Sequence, residues 1–155
     1  MDKTVPSVDQ IRLGPLGDSV GFLLRLAQLR AFDAFFSDHG PKGLKPGEFS
    51  VLWVIACNPG IRQSVLGQRL MIKRAHMTKL VRALEDQNLV SRRIPDADRR
   101  AVELSLTSAG EDEVETASRL FFDFEQRPGP LDADEHAALV ALLRKYIGLQ
   151  GEAGR

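Results

Sequence analysis

Residues 74–86 read RAHMTKLVRALED, and this segment is the clearest amphipathic helix in the chain. Four apolar side chains recur in it at intervals of three or four residues, which predicts a helix with one buried stripe. Lys79 and Arg82 point away from that stripe, so the opposite face is polar and basic. The stripe consists of Met77, Leu80, Val81 and Leu84.

Beyond this helix the sequence predicts a β-hairpin with a charged tip. Asn88 follows the helix end, where a left-handed backbone is often required and where asparagine is tolerated. Two short segments, 89–93 and 101–106, predict strands. The connection between them, residues 94–100, is polar and contains a proline, so we expect it to form the tip.

Before the amphipathic segment, the sequence predicts three further helices. The first begins near Asp18 and ends at the breaker cluster 38–41. Residues 47–57 are apolar enough for a buried strand or a buried helix, and their length favours a helix. A shorter helix over 62–69 follows, and residues 71–73 form a tight connection to the amphipathic segment.

Two more helices are expected after the hairpin. Ser108 is followed three residues later by Glu111, which is a helix-capping signature, and Thr107 is a competing cap. This helix is expected to extend to about residue 126. The same signature recurs at Asp132, which predicts the start of the last helix.

The bulk composition is that of an ordinary soluble globular protein. The 155 residues are 43% hydrophobic and 27% charged, which fits one domain or one compact unit with an extension. No apolar run approaches the roughly 18 residues that span a bilayer, and the N-terminus lacks the apolar stretch of a secretory signal. Because the single cysteine, Cys57, cannot form an internal disulfide, we expect a cytoplasmic location and interpret Cys57 as an inert small hydrophobe.

Catalytic and metal sites are not expected. The three histidines, His39, His76 and His136, are far apart in the sequence and form no metal-binding pair. A lone cysteine excludes a zinc site built from two or four cysteines of one chain, and no glycine-rich phosphate loop is present. We therefore expect no catalytic residues, no metal and no cofactor.

Charge is distributed unevenly along the chain although the net charge is zero. Residues 62–107 contain ten lysines and arginines and five acidic residues, a net charge of +5. Residues 108–125 contain six acidic residues and one arginine, a net charge of −5. This asymmetry localises anion binding to the first segment, unless the two segments are simply solvated faces of opposite sign.

The order of the predicted elements is that of a winged helix-turn-helix. An α-helix about 10–12 Å across fits the major groove of DNA. The hairpin tip carries Arg99 and Arg100, which are long enough to enter the neighbouring minor groove. Asp98 beside them would repel a phosphate, so we interpret it as a brace that holds an arginine in one rotamer.

Residues 62–110 resemble the DNA-binding core of the multiple-antibiotic-resistance-regulator (MarR) family. The spacing of an Asp-x-Arg motif, a Leu-x-Leu-Thr motif and a glycine is the most specific part of the resemblance, which extends over roughly residues 18–148. The matching residues are Leu84-Glu85, Asn88-Leu89-Val90, Arg92, Asp98-Arg99-Arg100, Leu104-Ser105-Leu106-Thr107 and Gly110.

The resemblance implies a homodimer built from the first helix and the last two, with residues 74–86 as the recognition helix. It implies that Asp98 braces Arg100 in the minor groove. It further implies binding to double-stranded DNA at a palindromic operator, often as a repressor of nearby genes. Release is expected from a small, frequently aromatic or acidic, ligand bound between the dimerisation helices and the DNA-binding lobe.

Three positions depart from the family pattern. Arg62 and Lys73 stand where the family often has a helix-capping Ser, Thr or Asp, so the starts of two helices have no obvious side-chain cap. Asn88 stands where glycine is usual, which is a replacement that a left-handed backbone accepts.

The predicted fold is mainly α with a small two- to three-stranded β wing. The winged helix-turn-helix DNA-binding domain comprises residues 41–107. The helical dimerisation region comprises residues 18–40 and 108–148. Residues 1–17 are expected to form an extended N-terminal arm, and residues 149–155 a C-terminal tail.

The candidate site residues fall into two groups. His76 either contacts base edges or is a surface residue without a role in binding. Of Arg92 and Arg93, we expect one to flank DNA and the other to support the hairpin. The candidates for an effector site are Phe22, Leu26, His39, Phe49 and Trp53. The candidates for DNA contacts are Gln63, Ser64, Arg74, Ala75, His76, Thr78, Lys79, Arg82, Asp98, Arg99 and Arg100.

Two other functions fit the same pattern. One is a winged-helix protein–protein interaction module that docks an acidic partner on its basic face, and the other is a DNA-binding protein that is insensitive to ligands. The pair of arginines at the hairpin tip favours DNA over a protein partner.

Overall fold

A computed structural model describes residues 11–39, 44–125, 127 and 129–149. The chain divides into two compact units, with the boundary between Ser118 and Arg119. The first unit contains the helix-turn-helix and the sheet, and the second contains the end of the fifth helix and the sixth helix.

The described part of the N-terminal segment is not an extended arm, which corrects the prediction for residues 1–17. Gly14–Asp18 form a 3-10 helix, and helix α1 spans Val20–His39. Pro15 lies in the first turn of the short helix, where its fixed φ is suitable and its missing N–H is not needed. Residues 1–10 of the predicted arm lie outside the described part of the chain.

Residues 47–57 form a helix, as their length predicted, rather than a buried strand. Helix α2 spans Pro46–Cys57. The Glu48 carboxylate accepts the backbone N–H of Lys45 at 3.0 Å, which satisfies one donor at the helix start. At the other end, the Asn58 amide donates to the Val54 carbonyl at 2.9 Å and closes the last turn.

Helices α3 (Gln63–Arg69) and α4 (Arg74–Asp86) form the helix-turn-helix. The boundaries of α4 are those predicted. Met77, Val81 and Leu84 of its apolar stripe are almost completely buried, and Leu80 is half-buried. Arg62 and Lys73 are the N-cap residues of the two helices, and neither side chain makes a capping hydrogen bond.

The wing is a three-stranded antiparallel sheet in the order β1-β3-β2. Strands β2 (Val90–Arg93) and β3 (Glu103–Leu106) are the predicted hairpin with each strand slightly shorter than expected. Strand β1, Ile61–Arg62, was not located by the sequence. A two-residue strand exists only through its pairing, here Ile61 opposite Leu104 and Arg62 opposite Glu103.

The hydrophobic core of the first unit joins α2, α3 and α4 to the sheet and the start of α5. Its members come from every one of these elements, so none of the elements is stable alone. The buried residues of this cluster are Val51, Leu52, Ile55, Leu66, Met77, Val81, Leu84, Val90, Leu104 and Val114.

Helices α5 (Ser108–Glu125) and α6 (Ala133–Tyr146) complete the described chain. The cap of α5 is Thr107, the competing candidate, because its hydroxyl oxygen accepts the Gly110 N–H at 3.0 Å. The capping box predicted at Asp132 is confirmed: its carboxylate accepts the Glu135 N–H at 2.9 Å, and the Glu135 carboxylate accepts the Asp132 N–H at 3.0 Å.

Candidate nucleic-acid interface

The outer face of α4 is exposed along its whole length. The buried stripe turns the helix so that its remaining side chains face solvent. Two cations on this face, Lys79 and Arg82, are separated by nearly one helical turn and are both exposed. The exposed candidates on α4 are Arg74, Ala75, His76, Thr78, Lys79 and Arg82.

A hydrogen-bonded chain ties the start of α3 to α4. The Gln63 side-chain amide donates to the Thr78 hydroxyl oxygen at 3.3 Å. The same hydroxyl donates to the Arg74 carbonyl at 2.9 Å. Two candidates from different helices therefore hold each other in position, and Ser64 lies next to them with an exposed side chain.

A groove of about 590 Å³ brings together candidates that are distant in the sequence. Gln63 and Ser64 come from α3, Arg74 from the start of α4, and Arg100 from the hairpin tip. Lys73 also lines this interface groove, which adds a third cation. The other candidates do not line it: they lie on the exposed face of α4 or elsewhere on the tip.

Asp98 pairs with a different arginine from the one expected. Its carboxylate lies 3.4 Å from the Arg62 guanidinium and accepts the backbone N–H of Arg100 at 3.2 Å. Asp98 therefore pairs with Arg62 and holds the backbone of Arg100, while the bracing of Arg100 in a minor groove concerns the DNA-bound protein and stays a prediction. Arg62 reaches Asp98 because β1 places it beside β3, a position that sequence spacing does not reveal.

Arg92 and Arg93 both make ion pairs within the chain. The Arg92 guanidinium lies 2.7 Å from the Glu85 carboxylate at the end of α4. The Arg93 guanidinium lies 2.6 Å from the Glu103 carboxylate on the opposite strand. Both arginines therefore support the hairpin, although the sequence predicted this for only one of them.

Met71 was not among the sequence candidates, yet it lies in the turn between α3 and α4. Its side chain is 90% exposed and lines the interface groove. Its φ of 54° is left-handed, a conformation uncommon for residues other than glycine and asparagine. Its neighbours Leu70 and Ile72 are also apolar, so nothing in the local sequence marks Met71 as the exposed residue of this turn.

The candidates for an effector site are distributed over several environments. Trp53 lines a second cavity of about 340 Å³ between α2, β3 and α5. Phe49 is a buried residue whose ring centroid lies 5.9 Å from that of Trp53. On α1, Phe22 is half-buried and Leu26 is exposed. His39 ends α1, and its side chain lies outside the described part of the chain.

Among the residues that the structure describes, no group of three or more His, Cys, Asp or Glu side chains is placed to hold a metal ion. None of the helices in the same part of the chain combines the length and the apolar character needed to cross a membrane. Cys57 is exposed.

The geometry of the interface agrees with comparisons to known proteins. Residues 44–102 match the family model of the MarR family. A protein from Thauera aromatica, described as a transcriptional regulatory protein for the hcr operon, is 32% identical over 144 residues. That alignment covers 90% of this chain and 85% of the relative.

Two solved structures of the transcriptional repressor CouR have the same fold. The structure of CouR bound to a 23-mer DNA duplex has a TM-score of 0.79 and 31% identity, and covers 88% of this chain and 98% of that chain. The structure of CouR bound to p-coumaroyl-CoA has a TM-score of 0.76 and 31% identity, with coverages of 88% and 97%. The chain therefore belongs to the MarR family and is a DNA-binding transcriptional regulator.

Proposed function

We propose that this regulator is a homodimeric, cytoplasmic repressor that occupies a palindromic operator and is released from it by a small molecule. The observation that carries the proposal is the interface groove. Gln63, Ser64, Arg74 and Arg100 converge on it from three separate elements. We further propose that the chain has no catalytic activity of its own.

The shape and charge of this surface suit duplex DNA. The exposed face of α4 offers hydroxyl, imidazole, ammonium and guanidinium groups that match base edges and phosphates in a major groove. Backbone N–H groups at the start of α3, beside Gln63 and Ser64, suit a phosphate. The wing extends the same surface to a neighbouring minor groove, where Arg100 meets concentrated negative potential.

Exposed apolar side chains support the homodimer. Most of the large apolar residues that are exposed in a single chain lie in the predicted dimerisation region and the segment just before it. A second copy would remove this surface from water. These residues include Leu16, Val20, Leu23, Leu26, Leu29, Phe32, Leu120, Phe122, Leu139, Val140, Leu142, Tyr146 and Ile147.

Release by a small molecule follows from the geometry of a symmetric dimer. Two half-sites one helical turn apart require recognition helices about 34 Å apart. A ligand that spreads the two DNA-binding domains, or holds them at another spacing, would therefore cost much affinity. CouR, which this chain resembles, binds p-coumaroyl-CoA in a solved structure. This similarity supports a ligand-responsive function for the present chain.

The direct test is binding of the purified full-length protein to the promoter DNA of its own gene. In fluorescence anisotropy at physiological salt, we expect binding in the range of about 10⁻⁸ to 10⁻¹¹ M and much weaker binding to a scrambled duplex. Analytical ultracentrifugation should give a dimer. A monomer that ignores duplex DNA even at low salt would contradict the proposal.

Removal of Lys79 or Arg82 should weaken operator binding and reduce its salt dependence. Each lysine or arginine that contacts a phosphate contributes about one unit to the slope of log affinity against log salt, so a dimer should lose about two units. Lys79→Ala and Arg82→Ala are measured between about 50 and 200 mM salt. Slopes equal to that of the parent protein would show that these side chains do not contact phosphates.

Removal of Asp98 should affect DNA binding more than folding. The Arg62–Asp98 pair is well exposed, so Asp98→Ala should lower the free energy of unfolding by less than about 1 kcal/mol. Loss of the hydrogen bond to the Arg100 backbone should nevertheless weaken operator binding by roughly tenfold or more, the lower end of the value of one hydrogen bond to a charged group. An equal loss of operator affinity in Arg62→Ala would indicate that Arg62 and Asp98 together hold the Arg100 backbone in position.

A further inference from the structure

The cavity that contains Trp53 is separate from the interface groove. It has a volume of about 340 Å³, and none of its described lining residues lines the groove. This size is at the lower end of the range of about 300–1,000 Å³ that small-molecule sites occupy. Trp53 and Ala56 of α2 and Leu106 of β3 form apolar parts of its wall.

The charge of this cavity is opposite to that of the interface groove. Glu111 and Glu115, one helical turn apart on α5, both line it, and its described lining residues include no lysine, arginine or histidine. Arg119 follows Glu115 by one helical turn, a spacing at which the two charges can offset each other, so we assign the negative charge of the cavity to Glu111. A carboxylate ligand within a few ångströms of Glu111 would be repelled, whereas a cation would be attracted.

Trp53 adds a preference for a flat ligand with a positive charge. An indole ring offers a large apolar surface for stacking, and its face attracts cations more strongly than the face of phenylalanine or tyrosine. Ser105 and Ser118 also line the cavity. The Ser105 hydroxyl accepts the Gly60 N–H at 3.1 Å and the Ser118 hydroxyl donates to the Glu115 carbonyl at 2.9 Å, so each oxygen retains a lone pair that can accept a hydrogen bond from a cationic N–H group. An aromatic ring with an amidinium or ammonium group matches all of these features.

We propose that this cavity binds a flat organic cation. The family resemblance implied a small ligand that is frequently aromatic or acidic, and the charge of the cavity disfavours the acidic class. The inference rests on the proposed function, because it names the ligand class of a ligand-responsive regulator. A ligand in the cavity would touch β3 through Ser105 and Leu106. The same strand begins just after the hairpin tip that carries Arg100. A displacement of β3 by a bound ligand would therefore also move Arg100 in the interface groove.

The chain contains its own probe, because Trp53 is its one tryptophan. The full-length protein is titrated with benzamidinium and, separately, with benzoate, which has nearly the same shape and the opposite charge. Tryptophan emission reports binding. We expect benzamidinium to bind at least about tenfold more tightly than benzoate at low salt, a difference typical of a partly exposed charge pair.

Glu111→Gln tests the origin of this preference, and Asp112→Asn is its matched control. Both remove one negative charge from the first turns of α5, but Asp112 does not line the cavity. We expect the ratio of the two affinities to fall by at least about threefold in Glu111→Gln and to stay unchanged in Asp112→Asn. The ratio is measured within each variant, so a modest loss of stability does not affect it.

Three results would overturn the inference: tighter binding of benzoate, no response of tryptophan emission to either compound, or an equal fall of the ratio in Asp112→Asn. Operator binding is measured on the same protein without ligand. If the protein binds its operator but shows no preference for benzamidinium, this inference fails while the proposed function stands. If it does not bind DNA, the proposed function fails whatever the fluorescence shows.

Discussion

Gly110→Ala is expected to lower the free energy of unfolding by about 3 kcal/mol, because the added methyl group overlaps a backbone segment that cannot move without losing hydrogen bonds. Gly110 is buried near the start of α5. An added Cβ would overlap the carbonyl oxygen of Leu89 and lie 2.9 Å from its carbonyl carbon. For a chain of this length, such a loss should lower the melting temperature by roughly 6–12 °C.

The Leu89 carbonyl cannot move away without breaking other contacts. It accepts the backbone N–H of Thr107 at 3.1 Å. The Thr107 hydroxyl in turn donates to the Asn88 carbonyl at 2.6 Å and accepts the Gly110 N–H. These bonds join the segment just after α4 to the start of α5, so the added methyl group must distort one of the two.

The matched control is Gly47→Ala in α2, where an added Cβ meets nothing within 4 Å. Alanine has the higher helix propensity, so this variant should be neutral or slightly more stable than the parent protein. Thermal unfolding followed by circular dichroism measures both variants. A Gly110→Ala protein that melts within about 2 °C of the parent would show that the close contact is not rigid.

Arg100→Ala is expected to weaken operator binding at physiological salt by at least about 30-fold, since each arginine that reaches a groove contributes roughly 1–3 kcal/mol and a dimer has two. The Arg100 side chain is exposed and lines the interface groove, while Asp98 holds its backbone. The side chain is therefore available to DNA at a defined position. Fluorescence anisotropy with the operator duplex measures the loss.

Lys45→Ala is the charge-matched control for this experiment. Lys45 is exposed at the start of α2, outside the predicted dimerisation region, and does not line the interface groove, so its removal lowers the net charge equally without altering that groove. We expect it to change operator affinity by less than about threefold, the effect of a distant surface charge. An Arg100→Ala protein with the affinity of this control would refute the role of the wing in DNA binding.

Local patterns were sufficient for much of the fold. The apolar stripe of α4 identified both its boundaries and its exposed face, because one helical period separates buried from solvated side chains. The left-handed backbone at Asn88, with a φ of 57°, and the cap at Asp132 also followed from neighbouring residues. These features depend on contacts between residues that are close in the sequence, so local sequence patterns are enough to predict them.

The features that matter most for function depend on contacts between distant segments. Strand β1 exists only because it pairs with β3, and that pairing brings Arg62 to Asp98. The contact of Gly110 with Leu89 and the carboxylates beside Trp53 likewise join residues more than 20 positions apart. Sequence periodicity identifies which face of an element is buried, but only packing selects its neighbour. Helix α4 and its exposed face were therefore readable from the residues alone, whereas the Arg62–Asp98 pair and the charge of the cavity required the folded chain.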